Sequence, residues 1–158
     1  MLKTHSLILI LDNLRSVQNT ASLFRTADCA GVEKIYLVGT TPEPLDHFKK
    51  PRKDFIKISL GAENTVPYEY VKTLAPLVKR LKKEGYHIYA LEQDEQSVHY
   101  KKASYKEKSA LIAGNEPYGI SKKTLSQVDT IIEIPQFGKK ESLNVVVATA
   151  VVLFEIVA

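Results

Sequence analysis

The sequence predicts an α/β fold built on a parallel, Rossmann-like sheet. Three observations carry this. Several short runs are apolar without alternation, as in strands covered on both faces. Amphipathic or turn-capped helical segments stand between them. Glycine, proline or an Asp-Asn pair stops nearly every run. In sheets of this kind ligands bind outside the carboxyl ends of the strands, so the segments that leave strands are the first places to seek a site.

The elements follow in order. Ser6–Leu11 is a buried strand ending at Asp12-Asn13. Asn19 is expected to cap a helix over 20–30 that Gly31 closes, with Ala21, Phe24, Ala27 and Ala30 inward. Lys34–Val38 is a second buried strand, stopped by Gly39. Residues 40–51 hold three prolines and read as a loop. Phe55-Ile56-Lys57-Ile58 reads as a short strand. Thr73 opens a helix over 74–84 in which Leu77, Val78 and Leu81 point inward, and Pro76 is tolerated in the first turn. Residues 86–91, 109–113 and 130–134 are three further strands, with a short helix near 121–126 after the second. Residues 92–108 and 136–141 read as irregular. Residues 143–157 form the last helix, too long for an ordinary strand despite its valines.

Composition narrows the function classes. The chain has 158 residues, 44% hydrophobic and 25% charged, the balance of one globular domain rather than a disordered tail. Its single cysteine, Cys29, excludes a disulfide framework and a cysteine-based zinc cluster, and fits a reducing cytoplasm. The apolar run at the start is too short for a signal sequence. Residues 145–154, with only Thr149 polar, are about half of what a bilayer requires, so no membrane span is expected. His5, His47, His87 and His99 lack metal-ligand spacing, and no metal is expected. Net charge is +4, which permits nucleic acid as a partner without requiring it.

Residue chemistry leaves several alternatives open. Gly114-Asn115-Glu116-Pro117-Tyr118-Gly119-Ile120-Ser121 fits a strand-to-helix turn capped by Ser121, and also a backbone that a ligand approaches closely. It lacks the lysine of a P-loop and the glycine spacing of a dinucleotide fingerprint. Arg25 fits a solvated helix face or a phosphate clamp. Lys49, Lys50, Arg52 and Lys53, and also Lys101 and Lys102, lie near Phe48, Phe55, Tyr100 and Tyr105. Cations interleaved with aromatics suit RNA backbone and base stacking, and equally suit solvated loops.

Three segments taken together resemble the SpoU (TrmH) branch of the SPOUT RNA methyltransferases. Asn19-Thr20-Ala21-Ser22-Leu23-Phe24-Arg25-Thr26-Ala27 resembles the family's first motif, and residues 111–121 its second. Ile134-Pro135-Gln136-Phe137-Gly138, then Ser142-Leu143-Asn144-Val145 and a long apolar helix, resemble its third. Order and spacing both match, over essentially the whole chain. Ala21 and Pro117 stand where the family usually or often has glycine. The resemblance implies a single domain over 1–158 without the N-terminal substrate-binding extension that many members carry. It implies a C-terminal deep trefoil knot, a homodimer, and methyl transfer from S-adenosyl-L-methionine to a ribose 2′-hydroxyl of tRNA or rRNA. By the same correspondence Leu91, Gly114, Ile134 and Leu143 would hold the cofactor. Asn19, Arg25, Glu116, Ser142 and Asn144 would form the catalytic constellation, with Glu116 orienting Arg25 or a partner loop. Arginine stays protonated in proteins, so Arg25 is expected to bind phosphate and stabilise the developing alkoxide rather than act as a base. The rival readings are an RNA-binding module of the same fold with little activity, and an α/β domain that binds another nucleotide.

Overall fold

The computed structural model describes residues 5–158. Seven strands form one sheet, all neighbours parallel: β1 (Ser6–Asp12), β2 (Lys34–Val38), β3 (Tyr68–Val71), β4 (His87–Leu91), β5 (Val98–His99), β6 (Lys108–Ala113) and β7 (Thr130–Glu133). Their order across the sheet is β3-β2-β1-β6-β4-β7-β5. Six helices accompany them: α1 (Val17–Ala30), α2 (Lys53–Ser59), α3 (Ala62–Thr65), α4 (Leu74–Lys83), α5 (Lys122–Leu125) and α6 (Val145–Val157).

The central strands are apolar on both sides because helices cover both faces. Leu7, Leu9 and Leu11 of β1 belong to a core shared with α1, α2 and α6. Ile8 and Ile10, on the opposite side of the same strand, pack with Leu74, Leu77, Val78 and Leu81 of α4. Such a three-layer arrangement leaves the carboxyl ends of β1, β6, β4 and β7 side by side along one rim.

The expected strands at 6–11, 34–38, 86–91, 109–113 and 130–134 all form, within a residue or so at each end. Two expectations are corrected. Phe55–Ile58 is helical, within α2. Phe55 and Ser59 are buried and Ile58 half-buried while Lys57 is exposed, which is the face of a helix and not the alternation of a strand. Phe55 meets Phe24 of α1 edge-on, ring centroids 5.2 Å apart. The cap of α1 is Ser16, whose hydroxyl accepts from the Asn19 amide, so the helix starts earlier than expected and Asn19 lies inside its first turn. Edge strands β3 and β5 and helix α3 have no counterpart in the sequence reading. β5 is only two residues long, and β3 is half-buried at best.

A cavity where three loops and two helix starts converge

A cavity of about 330 Å³ opens at the carboxyl ends of β4, β6 and β7. Its wall includes Leu91, Gly114, Ile134 and Leu143, the four residues expected to hold a cofactor. It also includes Asn19, Glu116, Ser142 and Asn144 from the expected catalytic set. Residues far apart in sequence are thus gathered by topology: β4 and β6 are neighbours, β7 lies beside β4, and α6 returns to pack on α1.

A hydrogen-bonded chain ties the three sequence motifs together. The Glu116 carboxylate accepts from the Arg15 amide at 2.9 Å and the Ser16 amide at 2.8 Å. The Asn19 side-chain amide donates to the same carboxylate at 3.1 Å. The Asn144 side-chain amide donates in turn to Asn19 Oδ1 over a long 3.5 Å, while Asn144 Oδ1 accepts from Val146 and Val147 and caps α6. Glu116 therefore acts at the positive end of α1, where a carboxylate is favoured by unpaired amides and the helix dipole. Burial pushes its carboxyl up, but the bonds from Arg15, Ser16, its own backbone and Asn19 outweigh that and hold it below the usual carboxylate range. Of the two partners expected for Glu116, Arg25 or a partner loop, Arg25 makes no hydrogen bond to it among the described residues; within the chain it is held by the Arg15 and Ser16 amides and by Asn19.

The loop 114–121 is shaped by two close approaches. A Cβ on Gly114 would lie 2.6 Å from Ile120 Cγ1 and 2.7 Å from the Gly119 carbonyl carbon. Gly119 has a φ of +67°, and a Cβ there would strike the Glu92 carboxylate. Glu92 accepts from the Ile120 amide at 2.9 Å and so pins the loop. Glycine at 114 thus serves the fit of the loop on itself as well as any ligand approach.

Sequence reasoning missed Glu92, Gln93 and Glu133 on the cavity wall. Glu92 follows β4 directly, and Glu133 ends β7, so the rule that singled out Gly114 also points to them. Gln93 donates to the Glu141 carbonyl at 2.8 Å and links the loop after β4 to the segment before α6. Among the described residues the completed wall carries Glu92, Glu116 and Glu133 but no lysine, arginine or histidine. Arg25 is not on it; it is exposed on α1, six residues beyond Asn19.

The basic clusters fare unequally. Arg52 makes a bidentate pair with Asp54, at 3.2 and 3.0 Å, so its charge is already matched. Lys49, Lys50, Lys101 and Lys102 are exposed, as is Lys53 at the start of α2. Phe48 is 71% exposed beside the first cluster and remains a candidate stacking surface. Phe55 is fully buried and Tyr105 packs against the core, so neither can stack on a base as the sequence suggested.

Comparison with known proteins adds a second line. The chain is 33% identical over 151 residues to the 23S rRNA (guanosine-2'-O-)-methyltransferase RlmB of Ralstonia nicotianae, covering 96% of this chain and 58% of that protein. It is 30% identical to the tRNA (guanosine(18)-2'-O)-methyltransferase of Thermus thermophilus, covering 94% of this chain and 73% of that one. The crystal structure of the AdoMet-bound rRNA methyltransferase from Sinorhizobium meliloti superposes with a TM-score of 0.84 at 27% identity, over 99% of this chain and 57% of the other. The chain therefore spans about three-fifths of the length of the rRNA-modifying relatives it matches. The model of the SpoU rRNA Methylase family matches residues 6–154. A match of that extent, over a sheet that gathers all three motifs at one rim, means that the chain belongs to the SpoU rRNA methylase family.

Proposed function

We propose that this chain transfers a methyl group from S-adenosyl-L-methionine to a ribose 2′-hydroxyl of tRNA or rRNA. The observation that carries this reading is the charge of the cavity wall, three glutamates with no cationic side chain. An acidic wall favours a cation and disfavours phosphate. S-adenosylmethionine carries a sulfonium and an ammonium, and its adenine suits the apolar side formed by Leu91, Ile134, Leu143 and Val145. The volume lies within the roughly 300–1,000 Å³ usual for small-molecule sites. The activities named for the relatives and the AdoMet-bound neighbour support the same reading.

When bound, the cofactor supplies a methyl group on a positively charged sulfur that departs as a neutral thioether. Leu91, Gly114, Ile134 and Leu143 would hold it. The ribose hydroxyl is a weak nucleophile; as its oxygen bonds the methyl carbon its proton leaves to water or a phosphate oxygen, and the charge developing on that oxygen must be stabilised. The cavity wall offers no cation for this, and Arg25, exposed on the neighbouring helix, would supply it while gripping the adjacent phosphate. Asn19, Glu116 and Asn144 fix the starts of α1 and α6, and Ser142, on the cavity wall, would shape the segment between β7 and α6. Lys49, Lys50, Lys53, Lys101 and Lys102 would meet more distant phosphates, with Arg52 held back by Asp54.

The same proposal includes the C-terminal trefoil knot. In support, the chain leaving β7 returns as α6 to α1, and residues 136–145 run beside the carboxyl ends of β4 and β6 on the way. It includes a homodimer. Val147, Val151 and Phe154 form an exposed stripe on α6 at 50%, 37% and 48% exposure, and Leu143 extends it to the cavity wall. A second copy of this stripe is the partner whose chemistry fits it, and sedimentation should give twice 17.7 kDa. A monomer that still methylates RNA would remove that part. No helix among the described residues is long and apolar enough to cross a membrane; a cytoplasmic place of work, supported by the lone, exposed and free Cys29, completes the reading.

The test is incubation of the protein with RNA and methyl-labelled S-adenosylmethionine, followed by nucleoside mapping. A 2′-O-methylated nucleoside is expected. Tight cofactor binding without transfer to any RNA would leave only a binding module.

A further inference from the structure

A second cavity, of about 500 Å³, lies on the other side of the 115–119 turn, where the carboxyl ends of β1 and β2 face the start of α4. Strands β1 and β6 are neighbours, yet the chain leaves β1 toward β2 and leaves β6 toward β7, on opposite sides. Crevices at such reversals are the preferred ligand sites of open parallel sheets. We propose that this crevice holds a guanosine nucleotide of the RNA, distinct from the nucleotide being methylated.

Asp12 supplies the base contact. Alternation along β1 places its side chain with Ile8 and Ile10, on the α4 side. It is 93% buried and lines the cavity. One carboxylate oxygen takes a single long bond, 3.3 Å, from the Asn13 side chain; the other receives none among the described residues. Burial pushes this carboxyl up. A carboxylate in that state is short of two parallel N–H donors. Guanine presents such a pair, N1–H and the 2-amino group, on one edge; adenine does not.

The rest of the cavity suits the remainder of a nucleotide. Lys72 and Lys123 line it from two elements. Thr73 precedes α4 without capping it by its side chain, so the Leu74 and Ala75 amides at the helix start are free for an anion. Tyr118, 85% exposed on the shared turn, offers a face for stacking. Base, phosphate and ring contacts thus converge on one crevice. That the nucleotide belongs to RNA rests on the proposed function; that the crevice selects guanine does not.

The experiment is a titration of isotope-labelled protein with 5′-GMP, 5′-IMP and guanosine, followed by amide chemical shifts, in the absence of S-adenosylmethionine. GMP should shift Asn13, Leu74, Ala75 and Tyr118. It should bind about tenfold or more tightly than IMP, which lacks the 2-amino group. Asp12→Asn should erase that preference. Lys123→Ala, an exposed change that leaves the fold intact, should weaken GMP several-fold and leave guanosine unchanged. Equal binding of GMP and IMP, shifts centred on Gln93 and Ala148 instead, or a Lys123→Ala variant that treats GMP normally would each overturn the proposal. Because no methyl transfer is read, an inactive enzyme and an empty crevice are separate results.

Discussion

The two cavities flank a single turn, yet their helix starts are treated in opposite ways. At the cavity beside β4 and β7 Glu116 holds the Arg15 and Ser16 amides just before α1, Ser16 caps α1 at the Asn19 amide, and Asn144 caps α6. At the crevice beside β1 the start of α4 has no side-chain cap. Glutamates line the first and two lysines line the second. A helix start is a ready anion site only while its amides are free. Capping both helices from within turns the first cavity away from phosphate and toward a cation, and leaving α4 open does the reverse. One rim of one sheet can thereby hold ligands of opposite charge a single turn apart.

The largest expected effect tests the missing cation of the first cavity. Arg25→Ala should lower methyl transfer by about 100- to 1,000-fold, the usual loss for one donor to a developing oxyanion. Calorimetric affinity for S-adenosylmethionine should not change, since Arg25 is off the cavity wall. Arg25→Lys should fail nearly as badly, because a point charge cannot replace the planar fork. A fully active lysine variant would break the contrast. Next comes Gly114→Val, which drives a side chain into Ile120 and the Gly119 backbone. It should destabilise the protein by about 1–3 kcal/mol, as overpacking does. It should also abolish cofactor binding because the loop itself shifts. A stable variant with normal affinity would show that the turn is not the wall between the two cavities.

Glu116→Gln sharpens the capping side. The Arg15 and Ser16 amides at the entry to α1 would lose a charged acceptor, costing about 1 kcal/mol for a partly exposed site. The carboxyl sits below its ordinary 4.5 in the folded protein, so its contribution is complete above that pH. It is lost as pH falls through the lower folded value. Thermal melts should therefore separate wild type from variant near neutrality and converge in acid. A gap that persists in acid would assign the effect to packing instead. The smallest effect concerns the distant lysines. Lys49→Ala with Lys50→Ala should flatten the salt dependence of RNA binding by roughly one log–log unit, at about 0.7 per phosphate contact. Arg52→Ala should leave it unchanged, because Asp54 already holds that guanidinium. Anisotropy titrations at several salt concentrations decide between them.

The five inner strands of the sheet were legible because burial on both faces demands unbroken apolar runs, as in β1 and β6. Helix α2 was not. Phe-Ile-Lys-Ile is too short for period alone to separate strand from helix, and only the seat of Phe55 against Phe24 decides it. All three motifs were legible as resemblance, and the cavity does gather Asn19, Glu116, Ser142 and Asn144. Their hydrogen-bond partners were not, since Glu116 meets Asn19 across 97 positions of sequence. Asp12 ends β1 and Glu92 follows β4, so the strand-end rule reaches both, but nothing local in the sequence marks which strand ends open onto a cavity. Local periodicity and turn chemistry by themselves determined the five inner strands, most helices and the rim where a site must lie. Tertiary structure decided which amides are covered, which charges share a wall and which aromatics stay exposed. Those depend on strand order, and strand order is a non-local property that no single segment encodes.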